Sequence, residues 1–296
     1  MKISANGVSI EVDDQGPPGG VPLLMIMGLG MQLVAWPDDL VQMLVARGFR
    51  VIRFDNRDIG LSQHFDHFGT PNLAWAGIRF ALHARLRSPY TLRDMADDAR
   101  GVLDALNIRS AHVCGASMGG MIAQHLAAAH PERVSSVTLV MTTAGARSLP
   151  QPAMAVRQAM LRRPAGADLG SVVAHFERLV GVIGSPGYPP DPERLRQRLR
   201  ASIERSYHPA GTARQLMAVM ADGDRTALLP RIRVPASVIH GEADPLVPVA
   251  AGRHLLQHLP PGAQSDFIPG MGHDLPVALL PRLAAGIANN AARAPA

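Results

Sequence analysis

Ala111-His112-Val113-Cys114-Gly115-Ala116-Ser117-Met118-Gly119-Gly120 is the stretch from which the rest of the chain is read. An apolar run leads into Gly-x-Ser-x-Gly, and a helix-like stretch to Ala129 follows. Strand, Gly-x-Ser-x-Gly and helix in that order predict a nucleophile elbow. The turn is so sharp that its serine takes a strained backbone, and the residues two before and two after must be nearly free of side chain. Gly115 and Gly119 meet that demand. The Met118 N–H then stands at a helix N-terminus, where negative charge is favoured. The bland alternative is an ordinary Gly-rich strand–helix turn, so the surrounding sequence must decide.

Before the elbow, Val8 to Asp13 alternates like a hairpin strand. Val21 to Met27 is a continuous apolar run, as in a strand buried on both faces, and it ends in the turn Gly28-Leu29-Gly30. A helix is predicted over Asp38–Ala46, a strand over Phe49–Phe54, and a helix over Thr91–Leu106 with a capping box from Thr91 and Asp94. Pro71 to Tyr90 reads as an irregular insertion. After the elbow comes a strand over Val134–Met141. The alternation implies an α/β fold, a mostly parallel sheet covered by helices on both faces.

After Thr143 the rhythm breaks. Residues 145–221 hold helical patterns and the punctuator Ser185-Pro-Gly-Tyr-Pro-Pro190, but no convincing strand. Strands resume at Ala236–His240 and Ser265–Pro269, and an Ala-rich, flexible tail is expected from Asn290. The organisation expected is a core of residues 1–144 and 222–296 with a helical insert, 145–221, between two strands.

A serine hydroxyl needs a general base, and a histidine base needs an orienting carboxylate. In this topology the order along the chain is Ser, acid, His. Strand Ala236–His240 runs into Gly241-Glu242-Ala243-Asp244-Pro245, and strand Ser265–Pro269 into Gly270-Met271-Gly272-His273. Both turns lie beyond strand carboxyl ends, where open α/β sheets build sites. Of twelve histidines, His273 alone follows a predicted strand, flanked by glycine, after an acid in the right order. His125, His130, His254 and His258 fall on helical patterns as surface or helix-end residues, His64 and His67 lie in a loop, and His112 and His240 read as satisfied core histidines. Asp244 is preferred to Glu242 because it lies further from the strand and Asp-Pro ends the turn. Asp274 reads as a local turn residue. The catalytic set expected is therefore Ser117, Asp244 and His273. The oxyanion donors expected are the backbone N–H groups of Leu29 and Met118.

Composition narrows the class. With 296 residues and 47% hydrophobic content, the chain supports a large core. A single cysteine, Cys114, allows no intrachain disulfide. No leader pattern opens the chain and no apolar run has the length of a membrane span, so a soluble, cytoplasmic protein without a membrane partner is expected. The net charge is +5, and the densest arginine cluster, Arg194 to Arg200, alternates with Leu195 and Leu199 as the solvated side of an amphipathic helix. No nucleic-acid-reading motif accompanies it. Gly28-Leu29-Gly30 lacks the third glycine of a dinucleotide loop, and His254 with His258 lacks an acidic companion, so neither cofactor nor metal is expected.

Together these pieces make the chain similar to serine hydrolases of the α/β-hydrolase fold over essentially its whole length. Met27-Gly28-Leu29-Gly30, Asp55-Asn56-Arg57-Asp58-Ile59-Gly60-Leu61-Ser62, the elbow, His240 to Pro248 and Pro269 to His273 carry the resemblance. Ala35-Trp36-Pro37 and Gly-Met-Gly-His-Asp-Leu-Pro276 resemble the bacterial esterase branch that includes anthracycline methylesterases. The resemblance implies that the insert is a cap and that the activity is cofactor-free hydrolysis of small-molecule carboxylic esters. Many relatives have His-Gly where this chain has Met27-Gly28, which makes this loop less polar. A serine nucleophile argues against dehalogenase or epoxide hydrolase activity, which use aspartate on this fold. Thioesterase, lactonase, C–C hydrolase and haloperoxidase activities stay open, as does a receptor that kept the fold. Met27, Leu29, Met31, Leu33, Trp36 and Met118 suggest an apolar mouth.

Overall fold

A hairpin of β1 (Lys2–Ala5) and β2 (Val8–Gln15) forms one edge of an eight-stranded sheet in the computed structural model, which describes residues 1–295. The sheet continues with β3 (Val21–Ile26), β4 (Phe49–Phe54), β5 (Ala111–Ala116), β6 (Val134–Val140), β7 (Ala236–Gly241) and β8 (Gln264–Ile268). The spatial order is β1-β2-β4-β3-β5-β6-β7-β8. β2 pairs antiparallel with both neighbours, and β4 to β8 are parallel. Parallel pairs need long crossovers. These are supplied by α1 (Asp38–Val45), α2 (Leu73–Ala81), α3 (Leu92–Ala105) and α4 (Met118–Ala129). Between β6 and β7 lie α5 (Met154–Leu161), α6 (Leu169–Ile183), α7 (Pro192–Arg205) and α8 (Pro209–Asp222). α9 (Val249–His258) precedes β8, and α10 (Leu280–Ala291) follows it.

Alternation along β3 explains why its sequence is apolar throughout. Leu24 and Ile26 join one core with Leu92, Met95 and Ile122 of α3 and α4. Leu23 and Met25 face the other, with Leu40 and Leu44 of α1 and Leu283 of α10. α3 begins with the expected capping box: Thr91 Oγ1 accepts the Asp94 N–H at 3.1 Å, and the Asp94 carboxylate accepts the Thr91 N–H at 2.8 Å. Arg194, Arg196, Arg198 and Arg200 of α7 are exposed to solvent. Among the described residues no helix is long and apolar enough to cross a membrane.

Three expectations are corrected. The stretch from Pro71 to Tyr90 is not wholly irregular, because Asn72 caps α2 by accepting the Trp75 N–H at 2.9 Å. The chain from Asn290 is not a loose tail at its start. Asn290 is buried, and its amide donates to Val137 O at 2.9 Å and Thr138 Oγ1 at 3.1 Å, fastening α10 to β6; Ala296, the last residue of that stretch, lies outside the described residues. His125 is not a surface residue: it is buried on α4, with Nε2 2.9 Å from Asp222 at the end of α8.

Candidate active site

Ser117 sits between β5 and α4 with φ +54° and ψ −119°. Such a backbone costs a non-glycine residue about 1–3 kcal/mol and persists only where its surroundings enforce it. Here the Ser117 N–H donates to Val140 O at 3.0 Å, and the Thr142 hydroxyl donates to Ser117 O at 2.6 Å. The flanking glycines are needed for close approach. A methyl on Gly115 would strike the Gly119 carbonyl, and one on Gly119 would strike the carbonyls of Ile26 and Met27.

The turns after β7 and β8 bring the acid and the histidine to this hydroxyl. His273 Nε2 lies 3.0 Å from Ser117 Oγ, and His273 Nδ1 lies 2.7 Å from Asp244 Oδ2. Asp244 is buried, and its second oxygen accepts the N–H groups of Leu246 at 2.9 Å and Val247 at 2.8 Å. An ionised Asp244 can only accept, so the network assigns the proton to Nδ1 and leaves the Nε2 lone pair facing the serine. Glu242 lies away from this set, 41% exposed and 3.9 Å from Arg253.

The loop after β3 runs against the serine. A Cβ on Gly28 would lie 3.1 Å from Ser117 Cβ. Asn56 donates to Met27 O at 3.0 Å, and the Gly30 N–H donates to Gln215 Oε1 at 2.9 Å. Gln215, on α8, is fully buried and also donates to Arg57 O at 2.9 Å. Neither the Leu29 nor the Met118 N–H donates to any group among the described residues. The expected apolar mouth is narrower than the sequence suggests. Met27, Leu33, Trp36 and Met118 are core residues, whereas Leu29 is half-buried and Met31 exposed.

A family model described as alpha/beta hydrolase fold matches residues 21–277. The chain belongs to this family. It is 33% identical over 308 residues to a rhodomycin D methylesterase of Streptomyces sp. (strain C5), covering 96% of this chain and 95% of that protein. It is 32% identical, with the same coverage, to the rhodomycin D methylesterase of Streptomyces peucetius. These relatives match the esterase branch that the motifs resemble. Among solved structures, the enol-lactonase of Burkholderia xenovorans superposes with a TM-score of 0.72 at 24% identity, covering 98% of this chain and 99% of that one.

Two further histidines of this α/β hydrolase, His112 and His240, are buried in β5 and β7. His112 Nδ1 pairs with Ser136 Oγ at 2.8 Å, and burial pushes the ring below the usual histidine range. His240 is only half satisfied. Its Nε2–H donates to Val247 O at 2.7 Å, closing the turn that holds Asp244, while its buried Nδ1 has no hydrogen-bond partner among the described residues. Burial holds this ring below the usual histidine range. The ligand atoms of His64, Asp66 and His208 lie within 4.8 Å of one another. They fit an ion poorly. The two rings stack in parallel at 3.8 Å, so their in-plane lone pairs do not converge, and Asp66 already accepts from Arg214 at 3.0 Å and pairs with His208 at 2.8 Å.

Sequence reasoning missed the supporting groups Asn56, Thr142, Ser185 and Gln215. Asn56 stands inside a motif the sequence offered. The other three act across long sequence separations, with no local signal.

Proposed function

We propose that this protein is a carboxylic-ester hydrolase working through an acyl-enzyme, with Ser117 as nucleophile, His273 as general base and acid, and Asp244 as the orienting carboxylate. The observation that carries the reading is the pair of contacts at His273, 3.0 Å to the Ser117 hydroxyl and 2.7 Å to a buried Asp244. Ser117 Oγ attacks the ester carbonyl as His273 Nε2 takes its proton. The tetrahedral oxyanion receives the free N–H groups of Leu29 and Met118, the latter at the N-terminus of α4. His273 then protonates the leaving alkoxide. Water, deprotonated by the same nitrogen, releases the acid. Asp244 holds the imidazole tautomer and stabilises the imidazolium. A receptor needs no such alignment at a strained serine.

The substrate class we favour is a methyl ester on a large apolar acid. Both rhodomycin D relatives are named methylesterases and align across almost the whole chain. Residues 145–221 serve as the cap that reads the acyl group. The test is a panel of methyl and p-nitrophenyl esters, thioesters, lactones and vinylogous 1,5-diketones, with fluorophosphonate labelling of the wild type and Ser117→Ala. Methyl-ester turnover and labelling that both vanish in Ser117→Ala support the reading. Turnover that survives in Ser117→Ala, or a wild type that neither labels nor turns over any ester, overturns it.

A further inference from the structure

The loop that presents His273 is held by the helical insert as well as by the sheet. The His273 N–H donates to the carbonyl of Ile183, the last residue of α6, at 2.7 Å. The preceding Gly272 N–H donates to Ser185 Oγ at 2.8 Å. The Ser185 hydroxyl donates in turn to Asp274 Oδ1, in a short hydrogen bond. Gly187 N–H donates to Gly270 O at 2.9 Å. The residues on either side of the imidazole are thus both fastened to one side chain, Ser185, which is 3% exposed. Asp274 is half-buried. Burial pushes its carboxyl up, with the Ser185 hydroxyl acting in the opposite direction. It directly follows the histidine, and its one side-chain hydrogen-bond partner among the described residues is Ser185.

We propose that Ser185 and Asp274 are a positioning pair that ties the His273 loop to the C-terminal end of α6, so that the seating of the insert sets the general base. The proposal rests on the assignment of Ser117, His273 and Asp244 as the reacting set. The imidazole must serve two partners at once, at 3.0 and 2.7 Å. Hydrogen bonds of this kind weaken steeply with distance and angle, and a misplacement of about 1 Å in a reacting group costs on the order of 10²-fold in rate. Removing the Ser185 hydroxyl strands the buried Gly272 N–H and the Asp274 carboxylate together. The loop then relaxes, and the freed carboxylate, one residue from the ring, competes with Asp244 for it.

The test is a double-mutant cycle of Ser185→Ala, Asp274→Ala and the double variant, assayed on a p-nitrophenyl ester. Active sites are titrated by fluorophosphonate incorporation, so that turnover refers to competent molecules only. Each single variant should lose about 10–100-fold in kcat per titrated site with KM within about threefold, and the double should be no worse than the poorer single. A merely structural pair gives fewer titratable sites and a lower Tm with kcat per site unchanged, which overturns the proposal. Losses that multiply in the double variant also overturn it, because the two residues then act separately. Turnover surviving in Ser117→Ala removes the reacting set itself, whereas an intact wild type with an unaffected Ser185→Ala removes only the positioning pair.

Discussion

Substitution of Gln215 by leucine probes how the oxyanion loop is held. Gln215 is fully buried on α8, accepts the Gly30 N–H at 2.9 Å and donates to Arg57 O at 2.9 Å. Leucine has a similar volume, so the cavity contribution is small, and the loss is that of two backbone groups left without partners, the buried Arg57 carbonyl and the half-buried Gly30 N–H. Each costs about 1–3 kcal/mol, which puts the destabilisation at about 2–6 kcal/mol for the pair. Gly30 follows Leu29, the proposed oxyanion donor. Complete loss of such a donor costs about 10²–10³-fold in kcat, so a displaced one should cost about 10–100-fold. The assay is kcat and KM on p-nitrophenyl acetate well below Tm, normalised to titrated sites, beside the Ki of a trifluoromethyl ketone, whose adduct carries the oxyanion. The Ki should rise in parallel with the fall in kcat/KM, with KM little changed. Gln215→Glu, which keeps an acceptor for Gly30 but no donor for Arg57, should retain more turnover than the leucine variant. A fall in Tm with kcat/KM and Ki both unchanged refutes the reasoning, because α8 would then support the fold and not the oxyanion site.

Asp244→Asn should lower kcat on the order of 10³–10⁴-fold by losing the imidazole tautomer, while Glu242→Gln, at an exposed position, should stay within about twofold; equal effects in steady-state assays would remove Asp244 from the site. Burial holds both His112 and His240 below the usual histidine range, so the unfolded chain takes up protons first as pH falls below about 6.5. Folding free energy from denaturant titrations should therefore decline from pH 7 to pH 5, by up to about 1.4 kcal/mol per pH unit for each ring, and His112→Asn should flatten the decline; a curve as steep in the variant as in the wild type refutes this origin. Replacement of residues 145–221 by a Gly/Ser linker should slow fluorophosphonate labelling of the fraction that stays folded by at least about 10²-fold, since Gly30, Gly272 and His273 lose their partners; labelling at the wild-type rate contradicts it.

Much of the fold was legible because its signals are local. The apolar run of β3, the capping box of α3 and the breaks at glycine and proline each fall within a few residues and follow the helical or strand period. The turns bearing Ser117, Asp244 and His273 were readable for the same reason: each directly follows a strand, and small residues mark each one. The support of that site was not. Ser185 reaches Gly272 across 87 residues, and Gln215 reaches Gly30 across 185. A serine before Pro-Gly and a glutamine in mid-helix have no periodicity to mark them. Trp36 misled for the opposite reason. An aromatic just after a catalytic loop suggests a pocket wall, yet it lies 1% exposed in the core beside α1 and α10.

The unread part has one theme, that the helical insert grips the loops proposed to be catalytic. Gln215 holds the loop after β3, and Ile183 and Ser185 hold the His273 loop. Arg205 reaches Asp55 at 2.7 Å, and the fully buried Arg214 meets both oxygens of Asp58 at 2.7 Å. Burial alone would push the Asp58 carboxyl up. Arg214, the Phe65 N–H and the Tyr90 hydroxyl together more than offset it and hold the group below the usual carboxylate range. Breaking such a pair from one side costs about 3–5 kcal/mol, so α8 does not slide freely over the loop that carries Asp58. Rate and substrate range are therefore not separable everywhere in the insert. A substitution that moves α6 moves His273, the proposed general base, and one that moves α8 moves the loop that carries Leu29. α7 is tied too, through Arg205 to Asp55 and Gln32. α5 alone of the four makes no hydrogen bond, backbone or side-chain, to the core among the described residues; the side chain of Arg157 closes on Pro152. Its outer face is exposed at Met154 and Leu161. The hydrogen bonding thus leaves α5 as the part of the insert whose position can change while Ser117, His273 and the loop after β3 stay in place.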